Sequence, residues 1–466
     1  MELFEKQVYI SRRKKLIQKG LKGIALFIGN TESPMNYPSN GYHFRQDSNF
    51  SYFFGLDIPN MIGVIDFDEG KEIIFANDVD IDDIIWMGPQ PSIKELAAKV
   101  GVELSFSLNE FENYISKVKN QNRKIHFTPP YRAESKIMIN SWLGINFQNM
   151  KSAASVELIK AIVDLRSVKE PCEIDELEIA AKIGYEMHMA AFKHAKSGVK
   201  EQEIYGIMEG ISYMYGKGPS FPIILSIHGE TLHNHNHSNI LKNGDLLLVD
   251  AGAQNNKYYS SDYTRTMPVD GIFSEKQKNI YQIVLDANNK ALSLAKPEVT
   301  YQSIHLDVCK VITDGLKQVG LMKGDTNEAV AAGAHALFLP HGLGHMMGLD
   351  VHDMEDFGED YVGYDDDVKR INQFGTSSLR MGRRLKPGFV VTDEPGIYFI
   401  PELIDKWKSE KLFEEFINYN ELEKYRDFGG IRLEDDILVT ETGARFLGGK
   451  RLPITIEEVE EIIKNN

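Results

Sequence analysis

Apolar runs of strand length alternate with stretches of helical periodicity along this chain, and the order of the two changes between its first third and the rest. Residues 3–20 set Phe4, Val8, Ile10, Leu16 and Ile17 among basic residues, a spacing that predicts an amphipathic helix with a wide apolar face. GIALFIG at 23–29 reads as a buried strand, and MIGVIDF and KEIIFAN read as two strands joined by the turn DEG at 68–70. DDIIWMG, the helix-like IKELAAKVGV and NEFENYISKVKN follow, then the strand KIHFTP at 124–129. Strands alternating with helices predict an α/β domain over residues 1–155, with the aromatic-rich segment HFRQDSNFSYFFGL at 43–56 inside it.

Past residues 150–160 helices come first and strands after. Residues 155–198 supply two helices broken before Pro171, which suits the first turn of the second, with Gly198 at its end. EQEIYGIMEGISYMYG adds a helix before the strand FPIILSI at 221–227, the tract LHNHNHSN, the turn KNGD and the strand LLLVDAG. The order then repeats: Ser274 is an N-cap with Gln277 in capping-box position, a helix over 300–320 follows, and strands come afterwards. This predicts an α+β domain over residues 156–466 built of two pseudo-twofold halves, although no sequence identity between the halves is visible.

At 466 residues the chain exceeds what one core ordinarily fills, in keeping with two domains. Lys and Arg total 52 against 68 Asp and Glu, and the net charge of -16 argues against nucleic acid as a partner. Two cysteines, Cys172 and Cys309, give no disulfide framework and point to the cytoplasm. The N-terminus lacks an apolar core of signal-peptide type, and nowhere do about eighteen apolar residues run together, so no membrane span is expected.

The chemistry lies on the second-domain strands. LLLVDAG ends an apolar run on Asp250, SSDYTRT carries Asp262, VVTDEPGIYFI carries Glu394 and FGGIRLEDDILV carries Glu434. Carboxylates on buried strands call for a cation or strong donors. Between the two pairs lies HGLGHMMGLDVH, with His341, His345 and His352. His341 and His345 are four apart, as in a zinc-protease helix, but Gly342 and Gly344 stand between them and no glutamate does, so a loop or strand is expected. His345 is then a candidate ligand and His341 a substrate-facing donor. Each histidine alone would read as a hydrogen-bonded core residue; beside four strand-borne acids the set reads as an oxygen-rich metal site. In LHNHNHSN, His233 is a site candidate, whereas His235 and His237 read as parts of a polar loop. Arg432, two residues before Glu434, would orient a carboxylate or meet a substrate charge, and Arg380 in SSLRMGRRL is either a solvated base or a substrate contact.

The set LVDAG, SDYTRT, HGLGHMMGLDVHD, TDEPGIY and GGIRLEDD resembles the metal-dependent peptidases of the pita-bread fold, in their aminopeptidase P and prolidase branch. HFRQDSNFSYFFGL resembles the N-terminal domain of that branch, of creatinase/aminopeptidase P type. The resemblance implies that Asp250, Asp262, His345, Glu394 and Glu434 hold two divalent metal ions, Mn first, with Co, Fe or Zn as alternatives. It also implies that His233, His341 and His352 contact substrate or intermediate, that Arg432 is the arginine beside the last glutamate, and that Glu394 doubles as general base. The activity implied is release of the N-terminal residue from peptides with proline second, by an Xaa-Pro aminopeptidase; the alternative is an Xaa-Pro dipeptidase whose Arg380 or Arg432 binds the C-terminal carboxylate. A metal-free peptide-binding relative, as creatinase is metal-free, ranks third because all five ligand positions are kept. Two departures stand out: eleven residues rather than the family's ten separate Asp250 from Asp262, to be absorbed by a turn or bulge around 254–259, and the connections from His352 to Glu394 and from Pro401 to Gly429 are long, as in prolidases. Members of the branch form homodimers or higher homo-oligomers, so the aromatic stretch 50–56 is expected to reach over a neighbour's site.

Overall fold

Residues 2–465 are described by a computed structural model, and they pack as two units. One runs to Arg166 and takes in Asp356–Tyr361; the other comprises Ser167–Glu355 and the chain from Val362 onward. The helix Val156–Ser167 therefore packs mostly with the first unit, later than the break expected after residue 155. Its C-terminal end is tied there by Tyr52, whose hydroxyl donates to Leu165 O at 3.3 Å, and by Arg166, which donates to Asn49 Oδ1 at 2.7 Å.

In the first unit five strands form one sheet in the order Leu104–Phe106, Lys71–Phe75, Ile62–Asp66, Ile24–Ile28, Ile125–His126. Ile62–Asp66 is antiparallel to both neighbours, and the two outermost strands pair parallel. The predicted turn at 68–70 is fixed by Asp66, whose Oδ1 accepts from Asp68 N at 3.1 Å and Glu69 N at 3.0 Å. The strand expected over 124–129 contracts to Ile125–His126, since Pro129 and Pro130 cannot donate to a ladder.

The N-terminal helix, Lys6–Ile17, differs from its predicted face. It buries Tyr9, Arg12, Arg13 and Leu16, while Val8, Ile10 and Ile17 are only half-buried. The arginines are buried because their heads find partners: Arg12 lies 4.0 Å from the ring centroid of Tyr52, and Arg13 donates to Phe53 O at 2.7 Å and Val100 O at 2.8 Å. The aromatic stretch is the other correction. Asp47 caps the helix Ser48–Phe54, and Phe50, Tyr52, Phe53, Phe54 and Leu56 are all buried in the first unit's own core, so this stretch does not reach over a neighbour's site.

The second unit has the two-fold order read from the sequence. Helices Pro171–His194 and Glu201–Tyr215 pack together and precede the antiparallel sheet of Ile224–Ser226, Leu246–Ala251 and Tyr263–Pro268. Helices Glu275–Leu294 and Tyr301–Gln318 repeat the arrangement and precede the sheet of Val390–Asp393, Asp435–Val439 and Ala444–Phe446. Pro171 occupies the first turn of its helix, and Ser274 and Gln277 exchange the reciprocal bonds of a capping box. A bridge between Thr264 and Glu434 joins the two sheets. Arg265, fully buried, clamps the same seam by donating to Glu434 O at 2.8 Å and pairing with Asp435 at 2.6 Å.

The connection between Asp250 and Asp262 closes as a tight loop: Asn255 Oδ1 accepts from Lys257 N at 2.9 Å and Tyr259 N at 3.1 Å, and Tyr258 takes a φ of 69°. Among the described residues no helix is long and apolar enough to cross a membrane.

Candidate metal centre

Asp250 stands near the end of Leu246–Ala251, with Thr264 opposite it on one side and Ile224 on the other. Because side chains alternate along a strand, Asp262 and Thr264 project to the same side. Glu434 is brought alongside by the bridge to Thr264, and Glu394 follows the strand Val390–Asp393. His341 and His345 lie in a loop, as the two glycines implied, and His345 is set by backbone pairing: its N–H donates to Thr392 Oγ1 at 3.1 Å and Thr392 N donates to its carbonyl at 3.0 Å.

These five side chains converge. His345 Nε2 is 3.4 Å from Asp262 Oδ2 and 3.7 Å from Glu394 Oε1, and the donor atoms of Asp262, His345 and Glu434 all lie within 4.8 Å of one another. The imidazole is held in one tautomer, since Nδ1–H donates to Met346 O at 3.1 Å and leaves the Nε2 lone pair toward the carboxylates. Asp250 Oδ1 and Asp262 Oδ1 are buried with no hydrogen-bond partner. Burial, then repulsion from Asp250, raises the Asp262 carboxyl well above its ordinary range. Burial, then Asp262, Glu394 and Asp250, does the same to Glu434, and burial raises Glu394 against the pull of His345 and Arg432. Burial lowers the His345 imidazole, which favours the neutral ligand form. Unpaired buried carboxylate oxygens beside a neutral imidazole are what hard to borderline divalent cations require, so the residues present fit such a group.

Arg432 is the one guanidinium inside this cluster among the described groups, and its partners are fixed. It pairs with Asp250, and donates to Tyr398 Oη at 2.8 Å and Thr264 Oγ1 at 3.0 Å. Thr264 in turn donates to Glu434 Oε2 at 2.7 Å. Arg432 thus orients carboxylates on both sides. His341 accepts the Tyr398 hydroxyl on Nε2 at 2.8 Å and donates its Nδ1–H to Gly342 O at 2.8 Å. Burial, then the Arg432 charge, pushes it down to about 3, so it is neutral at pH 7. Its Nδ1 lies 3.7 Å from Glu394 Oε2.

His352 stacks edge-on to His345 with ring centroids 4.2 Å apart. Its Nδ1 donates to Glu355 Oε2 at 2.6 Å and its Nε2 receives Arg380 Nη1 at 3.1 Å. Arg380 is thereby placed beside the cluster. His233 is exposed in its loop and feels the charges of Asp250, Arg432 and Arg380, whereas His237 is buried, accepted by Leu225 O at 3.0 Å and stacked on Tyr205. The tract LHNHNHSN therefore does not act as one unit. Sequence reasoning passed over Thr264, Thr392 and Tyr398. The period of two from Asp262 to Thr264 and from Thr392 to Glu394 was the available signal for the threonines. Tyr398 carried none, because only the pairing of Gly396–Tyr398 with Gly430–Arg432 brings it to Arg432.

Comparison with known proteins agrees with this geometry. Residues 175–441 match the family model of metallopeptidase family M24, and residues 9–126 match that of the aminopeptidase P N-terminal domain. The chain is 30% identical to the Xaa-Pro dipeptidase of Homo sapiens over 96% of its own length and 90% of that protein's. It is 29% identical to the Xaa-Pro aminopeptidase of Escherichia coli K12 over 95% and 94% of the two. The solved aminopeptidase PepP of Pseudomonas aeruginosa superposes with a TM-score of 0.81 at 26% identity, covering 100% of this chain and 99% of that one, so the fold is the pita-bread fold behind an aminopeptidase P N-terminal domain. A family match spanning more than half of the chain, with 30% identity to a relative along nearly its whole length, shows that this protein belongs to metallopeptidase family M24.

Proposed function

We propose that this chain is a two-metal Xaa-Pro aminopeptidase, releasing the N-terminal residue of peptides whose second residue is proline. The observation that carries the reading is the convergence of Asp250, Asp262, His345, Glu394 and Glu434 with buried, unpartnered carboxylate oxygens. Asp250, Asp262, His345, Glu394 and Glu434 would hold the ions; Mn is the first choice, with Co, Fe or Zn as alternatives. When bound, the ions supply Lewis acidity to the scissile carbonyl and acidify a water. That activation suits an Xaa-Pro bond, whose nitrogen has no hydrogen for an enzyme to grip.

The side chains supply the rest. Glu394 is the general base: its side chain keeps 19% of its surface exposed against 6% for Asp262, which leaves it the more open to an attacking water. His341, neutral and 3.7 Å from Glu394, would face the substrate beside the general base. His352 and the overhanging His233 would face the carbonyl oxygen as charge develops. Residues 1–155 would act as the N-terminal domain and 156–466 as the catalytic one.

A second reading, an Xaa-Pro dipeptidase, is favoured by Arg380, held beside the cluster through His352 and Glu355 and suited to a C-terminal carboxylate. The long connection after Pro401, which includes the helix Pro401–Ser409, weighs the same way. The test is hydrolysis of Gly-Pro beside Gly-Pro-Xaa by Mn-loaded protein. Cleavage of the tripeptide supports the aminopeptidase, cleavage of the dipeptide alone supports the dipeptidase, and activity on neither with metal bound rejects both.

We also place the protein in the cytoplasm, as two cysteines that form no disulfide suggest, and read it as a homodimer or higher homo-oligomer. The helix Ile81–Met87 supports the second point, because it buries none of its residues and exposes Ile81, Ile85, Trp86 and Met87.

A further inference from the structure

A second convergence of metal-binding side chains lies in the same unit and takes no part in the chemistry above. His305 and Cys309 are one turn apart on the inner face of the helix Tyr301–Gln318, and His335 lies on the short 3-10 turn Ala334–Leu337. All three side chains are fully buried. Cys309 Sγ is 3.6 Å from His305 Nε2, and one ligand atom from each of the three falls within 4.8 Å of the others.

His335 makes the group more than a packed thiol and imidazole. Neither of its ring nitrogens has a hydrogen-bond partner, although the ring is buried. A neutral imidazole carries one N–H and one lone pair, and leaving a buried polar group unmade costs roughly 1–3 kcal/mol. Native interiors rarely keep such a group without a use for it. The spacing is also right for a shared ion: metal–sulfur and metal–nitrogen bonds of about 2.3 and 2.0–2.1 Å, at angles between tetrahedral and trigonal, separate the two ligand atoms by about 3.5–3.8 Å.

We propose that His305, Cys309 and His335 form a buried metal site, separate from the carboxylate cluster, that takes Cu(I). The ligand set is soft, one thiolate and two imidazoles, which selects against Mn and Mg and for Cu(I) or Zn. Charge decides between those two. The charged or titratable groups that act on His305 are His335 and His341, with no carboxylate among them. One thiolate neutralises a monovalent ion, whereas Zn would leave a net positive charge in a dry pocket. Full burial also denies the water that a three-ligand zinc site ordinarily adds. On binding, the Cys309 S–H bond breaks and its proton leaves to solvent. Sulfur and one nitrogen lone pair from each imidazole then bond to the ion, with no change of oxidation state. The bound ion would tie the helix Tyr301–Gln318 to the segment that leads from His335 to His341.

The test uses the Mn-loaded full chain, equilibrated anaerobically with the Cu(I)–bicinchoninate complex. The expected result is one Cu(I) per chain drawn from the chelator, with X-ray absorption showing one sulfur and two nitrogen neighbours. Cys309→Ala and His335→Asn should each lose it, Cys172→Ser should keep it, and Gly-Pro-Xaa hydrolysis should be unchanged in Cys309→Ala. The sulfur neighbour is read on the unmodified protein, so a variant that folds poorly does not blunt the test. No Cu(I) taken from the chelator, a copper shell without sulfur, equal retention by Cys309→Ala, or preferential Zn loading of the same residues would overturn the proposal. So would an ordered water found bonded to His335 in protein exposed to Cu(I).

Discussion

Thr264 donates its hydroxyl proton to Glu434 Oε2 at 2.7 Å while its oxygen accepts from Arg432 Nε at 3.0 Å. One small side chain thus fixes two charged ones, one from each direction, at the seam where the two sheets meet. Thr264→Val keeps the shape and removes both bonds. Loss of an outer-shell partner of a metal ligand typically costs about 10–100-fold in metal affinity. We expect Thr264→Val to bind Mn that much more weakly by calorimetry and Thr264→Ser to stay near wild type. Equal Mn affinity in all three would show that Glu434 needs no such support.

Arg432 offers a stability test. Its guanidinium is buried with the Asp250 carboxylate, and removing one partner of a buried pair typically costs about 3–5 kcal/mol because the other charge is left without compensation. Arg432→Met should therefore lower the unfolding free energy of chelated protein, read from urea melts, by an amount in that range. Saturating Mn should recover part of the loss, since a cation supplies Asp250 with a new partner. A variant as stable as wild type without metal would mean that Asp250 does not depend on Arg432 for compensation.

The five acidic and imidazole positions and the order of the halves were legible in the sequence because each rests on local pattern. A carboxylate on an apolar strand and helices leading strands twice need no tertiary knowledge to be seen. What escaped depends on pairing. Tyr398 meets His341 and Arg432 through contacts 57 and 34 residues apart along the chain, which no window of sequence contains. The N-terminal helix misled for a different reason: Arg12 and Arg13 read as solvent-facing, yet carbonyls and rings of the segment 50–56 bury them. The aromatic stretch there looked like a surface device and proved to be core.

Acid sensitivity follows from His188. It is fully buried, bonds Ala251 O at 3.1 Å through Nε2, and is pushed down to about 4 chiefly by burial. Unfolded, it titrates near 6.5. As pH falls through that value the unfolded chain takes up a proton the folded one refuses, so stability is present above it and lost toward pH 4. Between pH 7.5 and 5 this one residue should cost about 2 kcal/mol, at roughly 1.4 kcal/mol per pH unit below 6.5. Urea melts of wild type and His188→Gln at the two pH values check it: the variant should start lower and slope less. Parallel slopes would assign the acid sensitivity to other groups.

Arg380 separates the two substrate readings. It reaches the centre through His352 Nε2 at 3.1 Å and is balanced by Glu355 at 3.5 Å, so its charge is held in place and still a third exposed. If it receives the C-terminal carboxylate of a dipeptide, that bond exists before and throughout the reaction, and its loss should appear in KM more than in kcat. Hydrogen bonds to charged groups contribute about 1.5–3 kcal/mol, so Arg380→Ala should raise the KM for Gly-Pro by roughly 10–150-fold. The KM for a longer Gly-Pro peptide, whose carboxylate lies beyond reach, should change by less than about 3-fold. Arg380→Lys should recover part of the dipeptide KM, because charge survives although the planar fork does not. A fall in kcat on both substrates, without the KM difference, would instead assign Arg380 to holding His352 against the reacting carbonyl.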